Sequence, residues 1–145
     1  PIWNQKIFYN VKGYRFDYEM SFQKAEVLIA EEYLKKHGRR LSNTIQLRKD
    51  FLGEIPFIET SYPISPPAAY PYINYVRLRV MFLGNYAVAQ ELVGPRHLVE
   101  TSFTNNFFDL IQFTPKKAFE KYLRDSVAPS IVGAPTSKPA TTTTP

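Results

Sequence analysis

The chain has 145 residues, of which 44% are hydrophobic, including 11 Phe and 10 Tyr. A chain of this length and composition can bury one core and is not typical of a disordered protein. It contains no cysteine, which excludes disulfides, thiolate nucleophiles and cysteine-ligated metal centres. No apolar run approaches the ~20 residues of a membrane-spanning helix. The N-terminus also lacks a signal-peptide layout, so we expect a cytoplasmic or virion location and no membrane insertion.

The net charge of +5 is concentrated in one stretch of the chain. Between residues 35 and 49 there are six basic residues and no acid, so the remainder is close to neutral. A local patch of this kind can bind phosphate, an acidic protein surface or only solvent. Its members are Lys35, Lys36, Arg39, Arg40, Arg48 and Lys49.

Residues 1–20 are rich in aromatic side chains, which alternate with charged ones from Tyr14 to Glu19. This alternation is typical of a half-buried strand, with the rings on one face and the charges on the other. We therefore expect an aromatic strand or arm packed on a sheet. Residues 7–11 are a candidate to pair with it across Lys12 and Gly13.

Residues 22–37 predict the first helix. Ser21 is a favourable N-cap, basic residues occupy the last turn, and Gly38 stands where glycine commonly ends helices. Glu32 and Lys36 are spaced to form an i,i+4 ion pair. The predicted apolar stripe consists of Phe22, Val27, Leu28, Ala30 and Leu34.

Residues 42–52 are compatible with two structures. Ser42 as a cap and Gly53 as a terminator favour a short helix, whereas the alternation from Thr44 to Arg48 is typical of a strand. We favour the helix because Gly53 lies at the right distance from the cap.

Residues 54–72 predict an extended loop. The stretch contains five prolines, which remove hydrogen-bond donors and favour polyproline-like backbone. Loops this long in a small domain are usually functional. Aromatic rings interleaved with proline would be exposed to water unless they pack on the protein's own sheet or on a partner. We assign partner binding to Tyr62, Pro66, Pro67, Tyr70 and Tyr72, together with Trp3.

The clearest pattern is a hairpin from Tyr75 to Val93 around a type II′ turn at Gly84 and Asn85. One of its faces sets large side chains against small ones and leaves room for the helix at 22–37. That face pairs Phe82 with Ala87, Val80 with Ala89, and Leu78 with Glu91. Glu91 is therefore either at a frayed strand end or the one charge that enters the core side.

A second hairpin is predicted over residues 97–113, with its turn near Asn105 and Asn106. Thr114 and Pro115 then suit the start of a second helix, and residues 129–145 have the composition of a flexible tail. We expect an α+β fold in which about four antiparallel strands pack against one long helix. Residues 21–128 would form the domain, preceded by the aromatic strand or arm at 1–20.

No catalytic constellation is visible in the sequence. His37 and His97 lie in different predicted elements, and neither a nucleophile elbow nor a phosphate-binding glycine pattern occurs. We therefore expect no enzymatic activity, no metal and no cofactor.

A small module with several extended segments is typical of assembly components. We expect a structural subunit of a larger complex, such as a virion connector, a cement protein or an accessory subunit, that binds other protein subunits as a homo- or hetero-oligomer. One alternative is a nucleic-acid or ribosome-associated module that uses the patch from Lys35 to Lys49. A second alternative is a small-ligand-binding α+β domain.

Overall fold

A computed structural model describes residues 5–109 and 141–142. The strands are β1 (Phe8–Arg15), β2 (Arg48–Leu52), β3 (Ile55–Pro63), β4 (Tyr75–Leu83), β5 (Tyr86–Gly94) and the two-residue β6 (Thr141–Thr142). One helix, α1, spans residues 22–37 as an α-helical segment Phe22–Ile29, a π-helical turn Ala30–Leu34 and a 3-10 turn Lys35–His37. Two short helices follow β5, namely α2 (Arg96–Val99) and α3 (Ser102–Asp109).

The strands form one antiparallel sheet in the order β2-β3-β4-β5-β1-β6. The α+β class is thereby confirmed, with five strands and the two-residue β6 rather than about four strands. The segment predicted as an aromatic strand or arm supplies β1, a single strand that pairs along its whole length with β5. Residues 7–11 therefore do not fold back on residues 14–19.

The central hairpin has the predicted turn and register. Leu83 pairs with Tyr86, and Leu78 pairs with Glu91. Gly84 has a φ of +59°, the left-handed value that the first central position of a type II′ turn requires. Glu91 is only 3% exposed, so it is the charge that enters the core side and not part of a frayed end.

Helix α1 begins and ends as predicted. The Ser21 hydroxyl accepts a hydrogen bond from the Lys24 amide at 3.2 Å, and Gly38 adopts the left-handed conformation at the C-terminus. The predicted membership of the apolar stripe is partly wrong, because Val27 is 55% exposed. Two residues correspond to about 200° of helix rotation, so Val27 lies opposite Ala25, which contacts the sheet side. The buried positions are Ala25, Leu28, Ile29, Tyr33 and Leu34.

The helix predicted over residues 42–52 is wrong, because residues 48–52 form strand β2. Gly53 has a φ of +65° and makes a tight turn that pairs Leu52 with Ile55. The glycine that resembled a helix terminator thus serves a hairpin, which local spacing alone does not distinguish.

The loop predicted over residues 54–72 is also wrong in its first half, which is strand β3. Pro56 is tolerated because pairing with β4 begins one residue later, at Phe57, and Pro63 is the last residue of the strand. The irregular segment between β3 and β4 is therefore confined to residues 64–74.

The second predicted hairpin is wrong where the structure describes it. Its first half forms α2 and α3, so His97 lies in a helix and Asn105 and Asn106 lie inside α3 rather than in a turn. The Thr104 hydroxyl contacts the carbonyl oxygen of Val99 at 2.6 Å and stabilises this bend. Residues 110–140, which include the predicted helix after Thr114, lie outside the described residues. So does the predicted tail, apart from the two residues of β6.

The two faces of the sheet bury separate clusters. Helix α1 covers the face that carries Val76, Leu78, Val80, Phe82, Ala87 and Ala89, and this is the main core. On the other face, α2 and α3 bring Val99 and Phe108 against Tyr75 and Leu92. No helix within the described ranges is long and apolar enough to cross a membrane.

Candidate functional site

The basic patch from Lys35 to Lys49 is neutralised at most of its positions by carboxylates from elsewhere in the fold. Lys49 Nζ lies 2.6 Å from Glu26 Oε2, and Lys36 Nζ lies 2.9 Å from Glu91 Oε1. Arg48 forms ion pairs with Asp50 and Glu59. Lys35 pairs with Glu31 at 3.7 Å.

The remaining two cations of the patch are Arg39 and Arg40. Arg39 donates a hydrogen bond to the carbonyl oxygen of Pro63 at 2.5 Å. Arg40 is exposed and has no ion pair with any residue that the structure describes. The patch therefore presents far less free positive charge than its sequence indicates.

Glu91 is the centre of a buried polar cluster between the end of α1 and the sheet. Its second carboxylate oxygen lies 4.0 Å from His37 Nε2. Burial raises the pKa of the Glu91 carboxyl, but the hydrogen bond from Lys36 and the neighbouring His37 side chain outweigh burial and leave the pKa below its usual value. The cluster holds the helix end against β5.

Three tyrosines flank this cluster inside the core. The hydroxyls of Tyr14 and Tyr33 are 2.8 Å apart, and Tyr62 is fully buried. Burial raises the pKa of Tyr14 to about 12 and raises those of Tyr33 and Tyr62 above their usual value. These phenols are neutral core groups at physiological pH.

The partner-binding residues predicted between positions 54 and 72 do not share one surface. Tyr62 is a core residue with 0% exposure, so it does not offer a surface to a partner. Pro66, Pro67 and Tyr70 are exposed, and Tyr72 is half-buried. Trp3 lies outside the described residues.

The exposed part of this segment packs against strand β1, which carries aromatic side chains on both of its faces. The Phe8 and Tyr70 rings meet edge to face at 5.4 Å, and Tyr70 lies 6.2 Å from Tyr72. On the opposite face of β1, the Tyr9 ring lies 4.7 Å from that of Phe107. We call these two groups of side chains together the aromatic edge. Its members are Phe8, Tyr9, Val11, Tyr70, Tyr72 and Phe107.

Three large side chains of the aromatic edge are exposed to solvent. Phe8 is 40%, Tyr9 49% and Val11 47% accessible to solvent. Sequence reasoning missed these three residues because it assigned the whole N-terminal segment to a half-buried strand. The signal was the adjacent pair Phe8 and Tyr9, since neighbouring side chains in a strand point to opposite faces and one core cannot bury both.

The two edges of the sheet differ in character. Strand β2 is short, and Arg48, Lys49 and Asp50 place ion-paired charges along it. Charged and short edge strands resist pairing with another chain. Strand β2 also exposes Phe51 and Leu52. Strand β1 is longer, carries exposed rings on both faces and pairs with β6 only at Tyr14 and Arg15, so its outer side is less protected than that of β2.

A separate cavity of about 610 Å³ lies beside the end of β3. Its lining mixes charged and hydroxyl side chains with Leu47, Leu78 and Phe108. Arg77 lies in this wall and donates hydrogen bonds to Val99 O and Thr104 Oγ1. This size suits a small ligand, and Phe108 of α3 lines the cavity, whereas no residue of α1 does. Residues 5–109 contain no group of three His, Asp or Glu side chains suited to a metal.

Comparison with known proteins finds no matching family model, no similar curated protein and no similar solved structure. The interpretation of function therefore depends on the geometry of this chain alone.

Proposed function

We propose that this protein is a non-catalytic assembly subunit that binds another protein subunit through the aromatic edge. The observation that carries the proposal is the exposure of Phe8, Tyr9 and Val11 on β1, beyond the two residues that pair with β6, with Tyr70 packed beside Phe8. Contiguous exposed rings are costly in water and commonly mark protein interaction surfaces.

Aromatic anchors supply most of the binding energy at many protein interfaces. Phe8 and Tyr70 belong to different segments of the chain, yet their rings are in contact. A ring pair held by a strand and a proline-rich segment loses little conformational entropy on binding. The segment also presents Pro66 and Pro67 to solvent, which widens the surface available to a partner.

The nucleic-acid alternative receives less support from the geometry. Phosphate contacts require basic groups whose charge is not already neutralised, and carboxylates lie beside Lys35, Lys36, Arg48 and Lys49. The small-ligand alternative is favoured by one specific observation, the cavity beside β3. Its open wall of charged residues does not select a ligand class.

The proposal is tested by replacing Phe8 and Tyr70 together with Ser and measuring assembly by sedimentation velocity on the native, co-purified complex. We expect the double variant to sediment as the isolated chain, because the anchoring rings are gone. The matched control is Phe51→Ser, which removes a ring that is 57% exposed, against 40% for Phe8, from the opposite sheet edge. Assembly that persists unchanged in the double variant would overturn the proposal.

A further inference from the structure

We propose that the partner binds by strand addition: an extended acidic segment of another protein pairs with the outer edge of β1. This inference rests on the proposed function and specifies how the aromatic edge makes contact. It is carried by the hydrogen-bond pattern of the sheet and the charges around β1.

The turn at Gly84 and Asn85 fixes which backbone groups point outward. In a two-residue hairpin the flanking residues, here Leu83 and Tyr86, exchange both of their hydrogen bonds. Hydrogen-bonding direction alternates along a strand, so every second residue from Tyr86 along β5 bonds to β4. The residues between them bond to β1, namely Ala87, Ala89, Glu91 and Val93.

The register of β1 on β5 determines which backbone groups of β1 face β5 and which point outward. The β1 residues opposite those four are Tyr14, Lys12, Asn10 and Phe8, so their amide and carbonyl groups face β5. The Phe16 amide continues the series by donating to the Asn85 carbonyl at 2.8 Å. The intervening residues Tyr9, Val11, Gly13 and Arg15 therefore direct their backbone groups outward.

One end of this edge already pairs with another strand. Thr141 of β6 lies opposite Arg15, and Thr142 lies opposite Tyr14. In the part of the chain that the structure describes, no strand lies beyond the outward groups of Tyr9, Val11 and Gly13. None of these three is proline, so each offers both a donor and an acceptor to an added strand.

The charge around β1 favours an acidic occupant. The charged residues in and near the strand are Lys6, Lys12, Arg15 and Asp17, of which three are basic. None of them takes part in an ion pair between described residues. Lys12 lies on one face of β1, and Tyr9 and Val11 lie on the other. A strand with carboxylates on alternate residues would place them on the face of Lys12, while its other residues lie on the face of Tyr9 and Val11. A second copy of β1 would bring further basic residues to the same edge.

The mode of binding is tested with two blocked synthetic peptides of about eight residues, one alternating Val with Glu and the other Val with Lys, as strand probes. We expect the full chain to bind the Glu peptide at least about tenfold more tightly, with a lower affinity at higher salt. Hydrogen exchange of the Tyr9 and Val11 amides should slow in the complex. The Asn10 amide, already bonded to β5, should change little. Equal binding of the two peptides would overturn the acidic assignment.

A backbone variant separates strand addition from ring contact. Val11→Pro removes an outward amide without removing a bond to β5, and proline is tolerated on sheet edges. We expect it to weaken Glu-peptide binding at least about tenfold, whereas the matched variant Val11→Thr, which keeps the amide, should bind normally. The exchange protection of Tyr9 in the unmodified chain tests the same point without any variant, and its absence would overturn strand addition.

The two proposals fail in different ways. If Phe8→Ser with Tyr70→Ser abolishes assembly while Val11→Pro does not, strand addition is wrong and the proposed function stands. If neither variant affects assembly, both are wrong. Competition between the Glu peptide and the native partner for β1 would support both.

Discussion

Glu91 illustrates how much depends on single residues in this protein. It enters the core side of the sheet with its carboxylate beside Lys36 and His37. A buried carboxylate that loses its cation is strongly destabilising, because the remaining charge stays in a poorly solvated site. The end of helix α1 is therefore held by electrostatics as well as by apolar contact.

Two neighbouring lysines provide a matched test of this point. The Lys36→Met variant should lower the free energy of unfolding by about 1–3 kcal/mol, because it leaves Glu91 with only His37. Lys35→Met should cost at most about 0.5 kcal/mol, since its pair with Glu31 is exposed on both sides. Urea unfolding of the two variants measures the difference. Equal effects would contradict the role assigned to Glu91.

The acid stability of the fold follows from the same carboxylate. Its pKa is lower in the folded chain than its usual value, so the stabilisation is present above that usual value and is lost as pH falls through the folded pKa. Burial likewise opposes the charge of Glu59, but hydrogen bonds from Arg48 and Arg79 lower its pKa. Glu91→Gln should therefore flatten the loss of stability below about pH 5. Urea midpoints measured across this range check the prediction, and an unchanged pH slope would contradict it.

At the scale of elements, the turn at Gly84 and Asn85 determines more of the structure than any other short segment. It sets the register of β4 and β5 and, through β5, the direction of the groups on β1. Gly84 holds its left-handed backbone with open space around a Cβ position. A substitution there tests backbone strain without steric overlap.

Gly84→Ala should therefore destabilise the fold by about 1–2 kcal/mol through its left-handed backbone alone. The control is Gly84→Asn, which should cost less because asparagine tolerates this conformation better. Thermal unfolding of both variants measures the ranking. A neutral Gly84→Ala variant would show that the turn is not held in this conformation.

Local sequence patterns correctly predicted the elements whose own turn and capping residues determine their structure. The central hairpin and helix α1 have strong turn and capping residues, and both form where they were expected. The segment around Gly53 carries an equally local signal, but a glycine with positive φ suits both a helix end and a hairpin turn. The structure around Asn105 depends on neighbours distant in sequence. Gly53 turns β2 back onto β3, and Val99 and Phe108 pack on Tyr75 and Leu92.

At the scale of the whole molecule, the candidate site was only partly visible in the sequence. Tyr70, Pro66 and Pro67 were predicted to be available to a partner, and they are exposed. Tyr62 belongs to the same tyrosine and proline pattern but lies on β3 facing the core. Only the strand pairing shows that β1 is flanked on its outer side by the two-residue β6 alone among the described residues, and only the fold places Phe8 beside Tyr70.

The basic patch is a feature whose free charge was overestimated from the sequence. Its charges are adjacent in sequence, whereas the acids that neutralise Lys36, Arg48 and Lys49 include Glu91, Glu59 and Glu26 from other elements. A count of neighbouring charges does not detect these partners. The fold therefore favours the aromatic edge over the basic patch as the candidate interaction surface.

The most direct test of the aromatic edge is photo-crosslinking within the native assembly. Phe8 is replaced by p-benzoylphenylalanine, and Phe51 on the opposite edge is replaced in the same way as a control. We predict that the label at position 8 crosslinks to a partner subunit on irradiation and that the label at position 51 does not. Crosslinking at position 51 with none at position 8 would contradict the account.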